Sequence, residues 1–302
     1  MFSDQSILRT LLDSLHEGVY YVDLTRCITY WNRMAETITG FSAQEVVGKC
    51  CADNILIHVD EDGNSLCRGA CPLAACMKDG VQRTAKVYAH HKEGHRFPVK
   101  LVVAPIRDDS GAVVGGLETF VDASTELAAL RVAQEQDAET LLCPLTGIGS
   151  QGYARDSLVT ALNGLQPNEK LLVLLLNIDE FQSIASKYGT MVADIVLKMV
   201  ARTLAGALRS IDFVGRWREH GFLVLIPYDS KGYLEQASNR LRVLVERSSR
   251  QISKGHLNAT VSIGATEADH SNHPSEIIRR VESGALASDL GGHNRVTLQL
   301  KS

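Results

Sequence analysis

Four residues in the first third of the chain have the types and spacing of a metal site. Six, eight and three residues separate Cys51, His58, Cys67 and Cys71. Three thiolates and one imidazole suit tetrahedral Zn²⁺, and the short spacing of the last two cysteines is usual for a ligand pair. An iron–sulfur centre is the alternative metal cofactor. The same residues are also typical of buried, reduced thiols with His58 as a polar cap.

A second pattern that could do chemistry is Arg-Ser-Ile-Asp, at residues 209–212. The guanidinium of Arg209 can donate two hydrogen bonds to a phosphate or a guanine edge, and the carboxylate of Asp212 can accept from guanine N–H groups. An arginine and an aspartate three residues apart are also common as a surface ion pair that contributes little free energy. The pattern therefore indicates either a site that recognises phosphate and guanine or a surface ion pair.

The elements around this second pattern predict an α/β layer architecture. Residues 214–225 read as a β-hairpin, with a short polar turn between two apolar runs. Residues 170–178 are typical of a buried strand, and residues 192–208 have the periodicity of a helix. The further predicted elements are a helix at 232–249, a strand at 258–265 and a helix from 274 to about 288. Together they indicate a central sheet flanked by helices.

The part of the chain that carries the four metal-type residues has a different pattern. Residues 18–23 and 28–32 predict a first hairpin, and helical sequence follows it. Three further strands are predicted at residues 82–90, 95–107 and 112–121. Residues 123–142 contain no glycine or proline and predict a linker helix. The expected domains are therefore 8–122, with an antiparallel sheet, and 143–302, joined by the linker at 123–142.

Composition limits the class of protein. A length of 302 residues suggests two domains, and 45% hydrophobic with 22% charged residues is typical of soluble globular proteins. The net charge of −4 argues against a nucleic-acid partner. No apolar run approaches the roughly 20 residues that cross a bilayer, so no membrane partner is expected. Seven cysteines favour thiols or metal ligands over a disulfide scaffold, and we expect a cytoplasmic location.

The first domain resembles a PAS sensor domain. The resemblance rests on the order of the strands and helices and on the short segments at residues 17–19, 30–32, 39–41 and 121–126. It implies that this domain senses a small ligand, a metal or a redox state.

The second domain resembles the GGDEF family, the diguanylate cyclases, over its full length. The resemblance rests on the hairpin at 214–225 and on segments at residues 144–147, 177–181, 193–194, 261–265 and 292–296. It implies a nucleotidyl-cyclase-like fold. It also implies a reaction that joins two GTP molecules with Mg²⁺ held by carboxylates.

At the positions that the resemblance assigns to this reaction, the chain has other residue types. Asn177 stands in place of the first metal-binding aspartate, and His220 and Gly221 replace the acidic pair of the hairpin turn. Ala185 replaces the asparagine that reads guanine, and Asp289 replaces a phosphate-contacting lysine. Because metal, base and phosphate contacts are lost together, we expect no cyclase activity and no Mg²⁺ at this site.

The resemblance gives residues 209–212 a more specific meaning. Five residues, 213–217, separate Asp212 from Arg218, which is the register of the family's product-inhibition site for cyclic di-GMP. A second arginine of that site corresponds to Arg240. The sequence therefore predicts that Arg209, Asp212 and Arg240 bind cyclic di-GMP.

The preferred interpretation is a PAS–GGDEF signalling regulator that binds cyclic di-GMP and is not an enzyme. We expect a homodimer through the PAS domain and the linker helix, and a downstream protein partner. Two alternatives stay open: an active or conditional diguanylate cyclase with remodelled metal ligands, and an interaction module that binds no nucleotide.

Overall fold

The computed structural model describes residues 4–53, 55–124, 141–166, 168–228, 233–252 and 255–299. The predicted linker helix at 123–142 falls almost entirely on residues 125–140, outside the described residues. The remaining chain divides into two compact units, with the boundary between Ala123 and Ser124.

The first unit is built on a five-stranded antiparallel sheet with the strand order β2-β1-β5-β4-β3. Its elements are α1 (Asp4–Asp13), β1 (Gly18–Asp23), β2 (Ile28–Trp31), α2 (Arg33–Thr39), α3 (Ala43–Val46), a 3₁₀ turn (Leu66–Arg68), α4 (Pro72–Asp79), β3 (Arg83–His90), β4 (Arg96–Arg107) and β5 (Val113–Asp122). The five strands predicted from the sequence are confirmed to within one or two residues at each end.

Short polar side chains fix the helices on this sheet. Asn32 ends the first hairpin and caps α2, because its side-chain oxygen accepts from the backbone N–H of Ala35. Ser42 and Glu45 form a capping box at the start of α3. The helices and the inner face of the sheet enclose one apolar core, which includes Tyr20, Trp31 and Phe120.

The second unit contains a five-stranded sheet with the order β12-β11-β6-β8-β7, in which only β11 and β12 are parallel, and a separate two-stranded sheet of β9 and β10. Its elements are α5 (Gln151–Gly164), β6 (Lys170–Ile178), α6 (Phe181–Tyr188), α7 (Thr190–Ala207), β7 (Phe213–Trp217), β8 (Gly221–Tyr228), α8 (Tyr233–Glu246), β9 (Ser249–Ile252), β10 (Gly255–Asn258), β11 (Val261–Ala268), α9 (Pro274–Leu290) and β12 (Val296–Leu298). The predicted α/β (α+β) fold class is thereby confirmed.

The central strand β6 explains why the sequence marks this fold so clearly. Every residue from 171 to 176 is apolar and buried, because helices cover both faces of the sheet. Three of these residues, Leu171, Val173 and Leu175, belong to one apolar cluster with residues of α5 and α9. The strand ends at Ile178, and the chain that follows it enters the candidate site.

Two boundaries predicted for the second unit are wrong. The helix predicted at 232–249 ends at Glu246, and the β9–β10 hairpin that follows was not predicted. The strand predicted at 258–265 runs instead over Val261–Ala268. None of the helices in the described part of the chain is both long and apolar enough to cross a membrane.

Candidate functional site

The sheet brings Asn177 directly beside the turn between β7 and β8. Asn177 pairs with Gly221 on one side and with Ser262 on the other. A Cβ atom at Gly221 would lie 2.5 Å from the carbonyl oxygen of Trp217 and 2.9 Å from the Asn177 Oδ1 atom. A backbone contact this close requires glycine unless the turn moves. The packing therefore leaves no room at position 221 for the carboxylate side chain that the resemblance expects there.

The turn itself is held in place by charged and aromatic contacts. Arg218 adopts a positive φ of 53°, and its guanidinium donates to the carboxylate of Glu282 at 2.5 Å. The ring of His220 stacks on Phe181, with ring centroids 5.6 Å apart. Burial lowers the pKa of His220, so its imidazole is neutral at pH 7. The turn thus presents a neutral ring to the site.

These side chains do not fit Mg²⁺. The two side chains at the expected ligand positions are the amide of Asn177 and the imidazole of His220, whereas Mg²⁺ is usually held by carboxylates and phosphate oxygens. Ala185, in α6, has no group that could bind a base, and Asp289, near the end of α9, carries a negative charge. The residues of the matched positions therefore offer no set of carboxylates around a hard cation.

Asp179, which follows β6 directly, is a buried carboxylate that accepts three hydrogen bonds. Its Oδ1 atom accepts from the hydroxyl of Ser262 at 2.6 Å. Its Oδ2 atom accepts from the hydroxyl of Thr260 at 2.6 Å and from the backbone N–H of Asn294 at 3.0 Å. Only 6% of the residue is exposed. These three donors fix the position of the carboxylate and compensate for its burial.

Two residues near the end of α9 face this carboxylate. The Nδ1 atom of His293 lies 3.6 Å from Asp179 Oδ1 and 3.0 Å from Asp289 Oδ1. The geometry to Asp289 does not meet the criteria of a hydrogen bond, and the buried Nδ1 atom has no hydrogen-bond partner among the described residues. Two carboxylates and one imidazole thus meet near the turn between β7 and β8.

The predicted cyclic di-GMP residues begin in the loop after α7. Asp212 accepts from the backbone N–H of Arg209 at 2.8 Å, and the two side chains form a looser pair at 3.4 Å. The side chain of Arg209 is 52% exposed, whereas that of Asp212 is fully covered. The Arg209 guanidinium also donates to the carbonyl of Pro227 and lies 5.8 Å from the Tyr233 ring. Arg209 therefore lies over the carboxylate as an exposed, weakly bound cation.

The third predicted residue, Arg240 of α8, reaches the same loop. Its Nη2 atom donates to the carbonyl of Ala207, two residues before Arg209, at 3.4 Å. The Arg240 Nε atom is buried and has no hydrogen-bond partner in the part of the chain that the structure describes. The fold thus brings the two arginines and Asp212 to one end of α7.

The four metal-type residues of the first unit lie in one region but not around one point. Burial raises the pKa of Cys51, and the nearby Cys50, Cys67 and Cys71 raise it further. Burial also raises the pKa of Cys67. Within the described ranges, no group of three or more ligand atoms within 4.8 Å of one another includes a cysteine. The zinc or iron–sulfur site at Cys51, His58, Cys67 and Cys71 stays a prediction.

The imidazole of His58 faces a carboxyl group instead of the thiols. Its Nε2 atom lies 3.6 Å from the Oε1 atom of Glu118, and both residues are buried. Burial raises the pKa of Glu118 to about 8 and lowers the pKa of His58 to about 4. We therefore treat both groups as neutral near pH 7, rather than as an ion pair. Tyr20 shares a side-chain hydrogen bond with the same carboxyl group.

Sequence reasoning missed these two clusters. Asp179 lies far from Asp289 and His293 in the chain, and the three meet only because β6, β11 and α9 pack together. Glu118 and His58 likewise come from β5 and from the loop before the 3₁₀ turn. One local signal exists, namely the spacing of four between Asp289 and His293 at the end of a predicted helix.

Comparison with known proteins supports both halves of the architecture. The family profile described as the diguanylate cyclase GGDEF domain matches residues 141–295, and a PAS domain profile matches residues 16–125. The probable diguanylate cyclase DgcE of Escherichia coli is 22% identical over 300 residues, 99% of this chain and 26% of that protein. The response regulator PleD of Caulobacter vibrioides is 28% identical over 74% of this chain and 54% of its own length. This chain thus spans only part of these relatives.

Solved structures agree with the fold of the second unit. The coiled coil and GGDEF domain of DgcB from Caulobacter crescentus, solved with cyclic di-GMP, superposes with a TM-score of 0.52. The two chains are 22% identical, and the match covers 57% of this chain and 93% of the DgcB chain. The diguanylate cyclase SiaD of Pseudomonas aeruginosa, solved with its activator SiaC, gives a TM-score of 0.50 at 23% identity, over 58% of this chain and 66% of SiaD. At these identities the similarity establishes the fold alone.

Proposed function

This chain belongs to the GGDEF family of diguanylate cyclases, and we propose that within this family it is a receptor for cyclic di-GMP rather than an enzyme that makes it. Its PAS domain would act as the sensor and the GGDEF domain as the ligand-binding output of a signalling regulator. The Mg²⁺ and GTP of the family's reaction have no matching donor set at Asn177, His220 and Gly221.

The observation that carries the proposal is the grouping of Arg209, Asp212 and Arg240 at one end of α7. Two guanidinium groups at one surface favour a ligand with two phosphates, because each can donate a bidentate pair of hydrogen bonds. The unpartnered Nε atom of Arg240, within the described part of the chain, is a donor that such a ligand would satisfy. Because several relatives are named diguanylate cyclases, cyclic di-GMP is the ligand with two phosphate groups to test first.

Binding would require Arg209 to change partner. The Arg209 guanidinium contacts the Asp212 carboxylate, which has no exposed surface, so we expect Asp212 to accept from a guanine base only after the guanidinium has moved away. The movement costs little, since the side chains are 3.4 Å apart and Arg209 is half exposed. In the bound state the Arg209 guanidinium would contact phosphate, and Asp212 would contact the guanine edge.

The test is a calorimetric titration of the purified chain with cyclic di-GMP. We expect saturable binding by the wild type and a loss of at least about tenfold in affinity for Arg209→Ala, because a charge-assisted phosphate contact is removed. Arg240→Ala should weaken binding in the same direction. Arg279→Ala changes an exposed arginine on α9 and serves as the matched control. No binding by the wild type, or equal binding by wild type and Arg209→Ala, would contradict the proposal.

The names of the relatives favour one other candidate, a diguanylate cyclase with altered ligands. Incubation with GTP and either Mg²⁺ or Mn²⁺, followed by chromatography of the nucleotides, separates the two functions. We expect GTP to remain unchanged. Formation of cyclic di-GMP would replace the receptor proposal with an enzymatic one. The predicted homodimer, the downstream protein partner and the cytoplasmic location are further parts of this proposal.

A further inference from the structure

The strongest unassigned cluster in the second unit is formed by Asp179, Asp289 and His293. Each offers one ligand atom, and these three atoms all lie within 4.8 Å of one another. Asp179 is buried, whereas the other two side chains are half exposed and open the cluster to solvent. None of the three is a position where the resemblance expects Mg²⁺, and none belongs to the proposed cyclic di-GMP site.

We propose that Asp179, Asp289 and His293 bind a divalent transition-metal ion, with Zn²⁺ as the reference ion. Zinc lies about 2.0–2.2 Å from imidazole nitrogen and carboxylate oxygen. Adjacent ligand atoms at that distance from a common ion are separated by roughly 2.8–3.6 Å in octahedral or tetrahedral geometry. The separations from His293 Nδ1 to the two carboxylates are 3.0 and 3.6 Å, so an ion fits with small side-chain adjustments.

The carboxylate of Asp179 is already oriented for this role. Thr260 and the Asn294 backbone hold its Oδ2 atom, whereas Oδ1 accepts one hydrogen bond, from Ser262. A carboxylate oxygen has two acceptor sites, so Oδ1 keeps one for a metal. Hydrogen bonds of this kind orient a ligand and are a usual feature of metal sites.

The Nδ1 atom of His293 supports the same conclusion. It is buried, it has no hydrogen-bond partner among the described residues, and it faces two carboxylates. A metal ion bound between the imidazole and the two carboxylates would give this unpartnered nitrogen atom a partner.

The donor set also selects the kind of ion. Imidazole suits zinc and other transition metals, whereas Mg²⁺ and Ca²⁺ prefer ligands that are all oxygen. We therefore expect Zn²⁺ to bind in the presence of millimolar Mg²⁺. With three protein ligands, further coordination positions would be left to water or to an external ligand.

The experiment is a calorimetric titration of the chelator-stripped, dialysed full chain with ZnCl₂, with and without about 5 mM MgCl₂. Asp289→Asn and His293→Gln each remove one ligand with little change in shape. The matched controls are Asp156→Asn and His256→Gln, which alter exposed residues of the same unit. Because the cysteines of the first unit could also bind zinc, the quantity compared is the difference between wild type and variant.

We expect the wild type to bind one Zn²⁺ per chain at this site. Both ligand variants should bind this ion at least about tenfold more weakly, and the control variants should bind it as the wild type does. Equal stoichiometry and affinity in wild type and Asp289→Asn would overturn the proposal and leave only a His293–Asp289 ion pair. Displacement of this ion by MgCl₂ would overturn the assignment of a transition metal. Circular dichroism checks folding, and Asp289→Asn decides the question if His293→Gln does not fold. Cyclic di-GMP titration uses other residues, so the two proposals fail separately.

Discussion

Among the described residues, Asp179 of the second unit and Glu118 of the first unit are buried acids at the centre of a polar cluster, and the two clusters differ in the hydrogen-bond donors that they supply. Asp179 of the second unit is 6% exposed and receives three hydrogen bonds from Thr260, Ser262 and the backbone of Asn294. Glu118 of the first unit is 2% exposed, and its Oε1 atom has no hydrogen-bond partner among the described residues.

The difference lies in the supply of donors. A buried carboxylate keeps its charge where enough N–H and O–H groups surround it, and it takes up a proton where they do not. Burial therefore raises the pKa of Glu118 to about 8, with only the Tyr20 hydrogen bond opposing the shift. The carboxylate of Asp179 thus has three hydrogen-bond donors, whereas the first unit holds an acid, Glu118, that titrates close to neutral pH.

The neighbouring His58 extends this contrast. Burial lowers the pKa of His58 to about 4, so it stays neutral in the folded protein over most of the pH range. Its folded pKa is lower than its unfolded one, so its contribution to stability is lost as the pH falls from about 6.5 towards 4. Glu118 has the opposite sign, and its contribution is lost as the pH rises from about 4.5 towards 8. Between about pH 4.5 and pH 6.5 the pH dependence of stability due to His58 and that due to Glu118 have opposite signs and cancel.

Removal of the Asp179 carboxylate should have the largest effect on stability. Asp179→Ala leaves two hydroxyls and one backbone N–H without their acceptor, and it should lower the free energy of unfolding of the second unit by roughly 3–5 kcal/mol. Each unit has one tryptophan, Trp31 or Trp217, so the Trp31→Phe background reports the second unit alone. Urea unfolding followed by Trp217 fluorescence, with a chelator present, measures the change.

The matched control for this change is Asp156→Ala, at an exposed position on α5, which should alter stability by no more than about 0.5 kcal/mol. If Asp179→Ala cost as little as the control, the three hydrogen bonds would not stabilise the fold, and the contrast between the two acids would be lost.

Removal of the Glu118 carboxyl group should instead change how the stability of the first unit depends on pH. Between pH 6.5 and 8 the unfolded state has an ionised Glu118 and the folded state a protonated one, so wild-type stability should fall by roughly 2 kcal/mol. Glu118→Gln cannot ionise, and this decline should disappear. Urea unfolding at several pH values, followed by Trp31 fluorescence in the Trp217→Phe background, measures the slope.

Exposed Glu61→Gln is the control for this slope and should retain the wild-type decline. A decline of the same size in Glu118→Gln would mean that another group titrates in this range and that Glu118 is ionised in the folded protein.

The sequence predicted those features that depend on neighbours in the chain. The apolar run of β6 and the turn between β7 and β8 were clear because each is a continuous pattern. The β9–β10 hairpin was missed since its strands are short, polar and only partly buried. Arg209 and Asp212 could be found because they are three residues apart. Asp179 and His293 could not, because they are brought together only by packing.

A substitution with a smaller expected effect on stability removes one hydrogen bond to Asp179 and keeps its carboxylate. Thr260→Val keeps the side-chain shape and removes one donor at 2.6 Å, and it should cost about 1.5 kcal/mol, since the acceptor is charged and keeps two other donors. The same substitution in the Asp179→Ala background should cost close to zero, because the hydroxyl then has no acceptor. A double-mutant cycle by urea unfolding measures this coupling. If Thr260→Val costs the same in both backgrounds, the hydroxyl acts independently of the carboxylate, and a sufficient supply of donors is not what distinguishes Asp179 from Glu118.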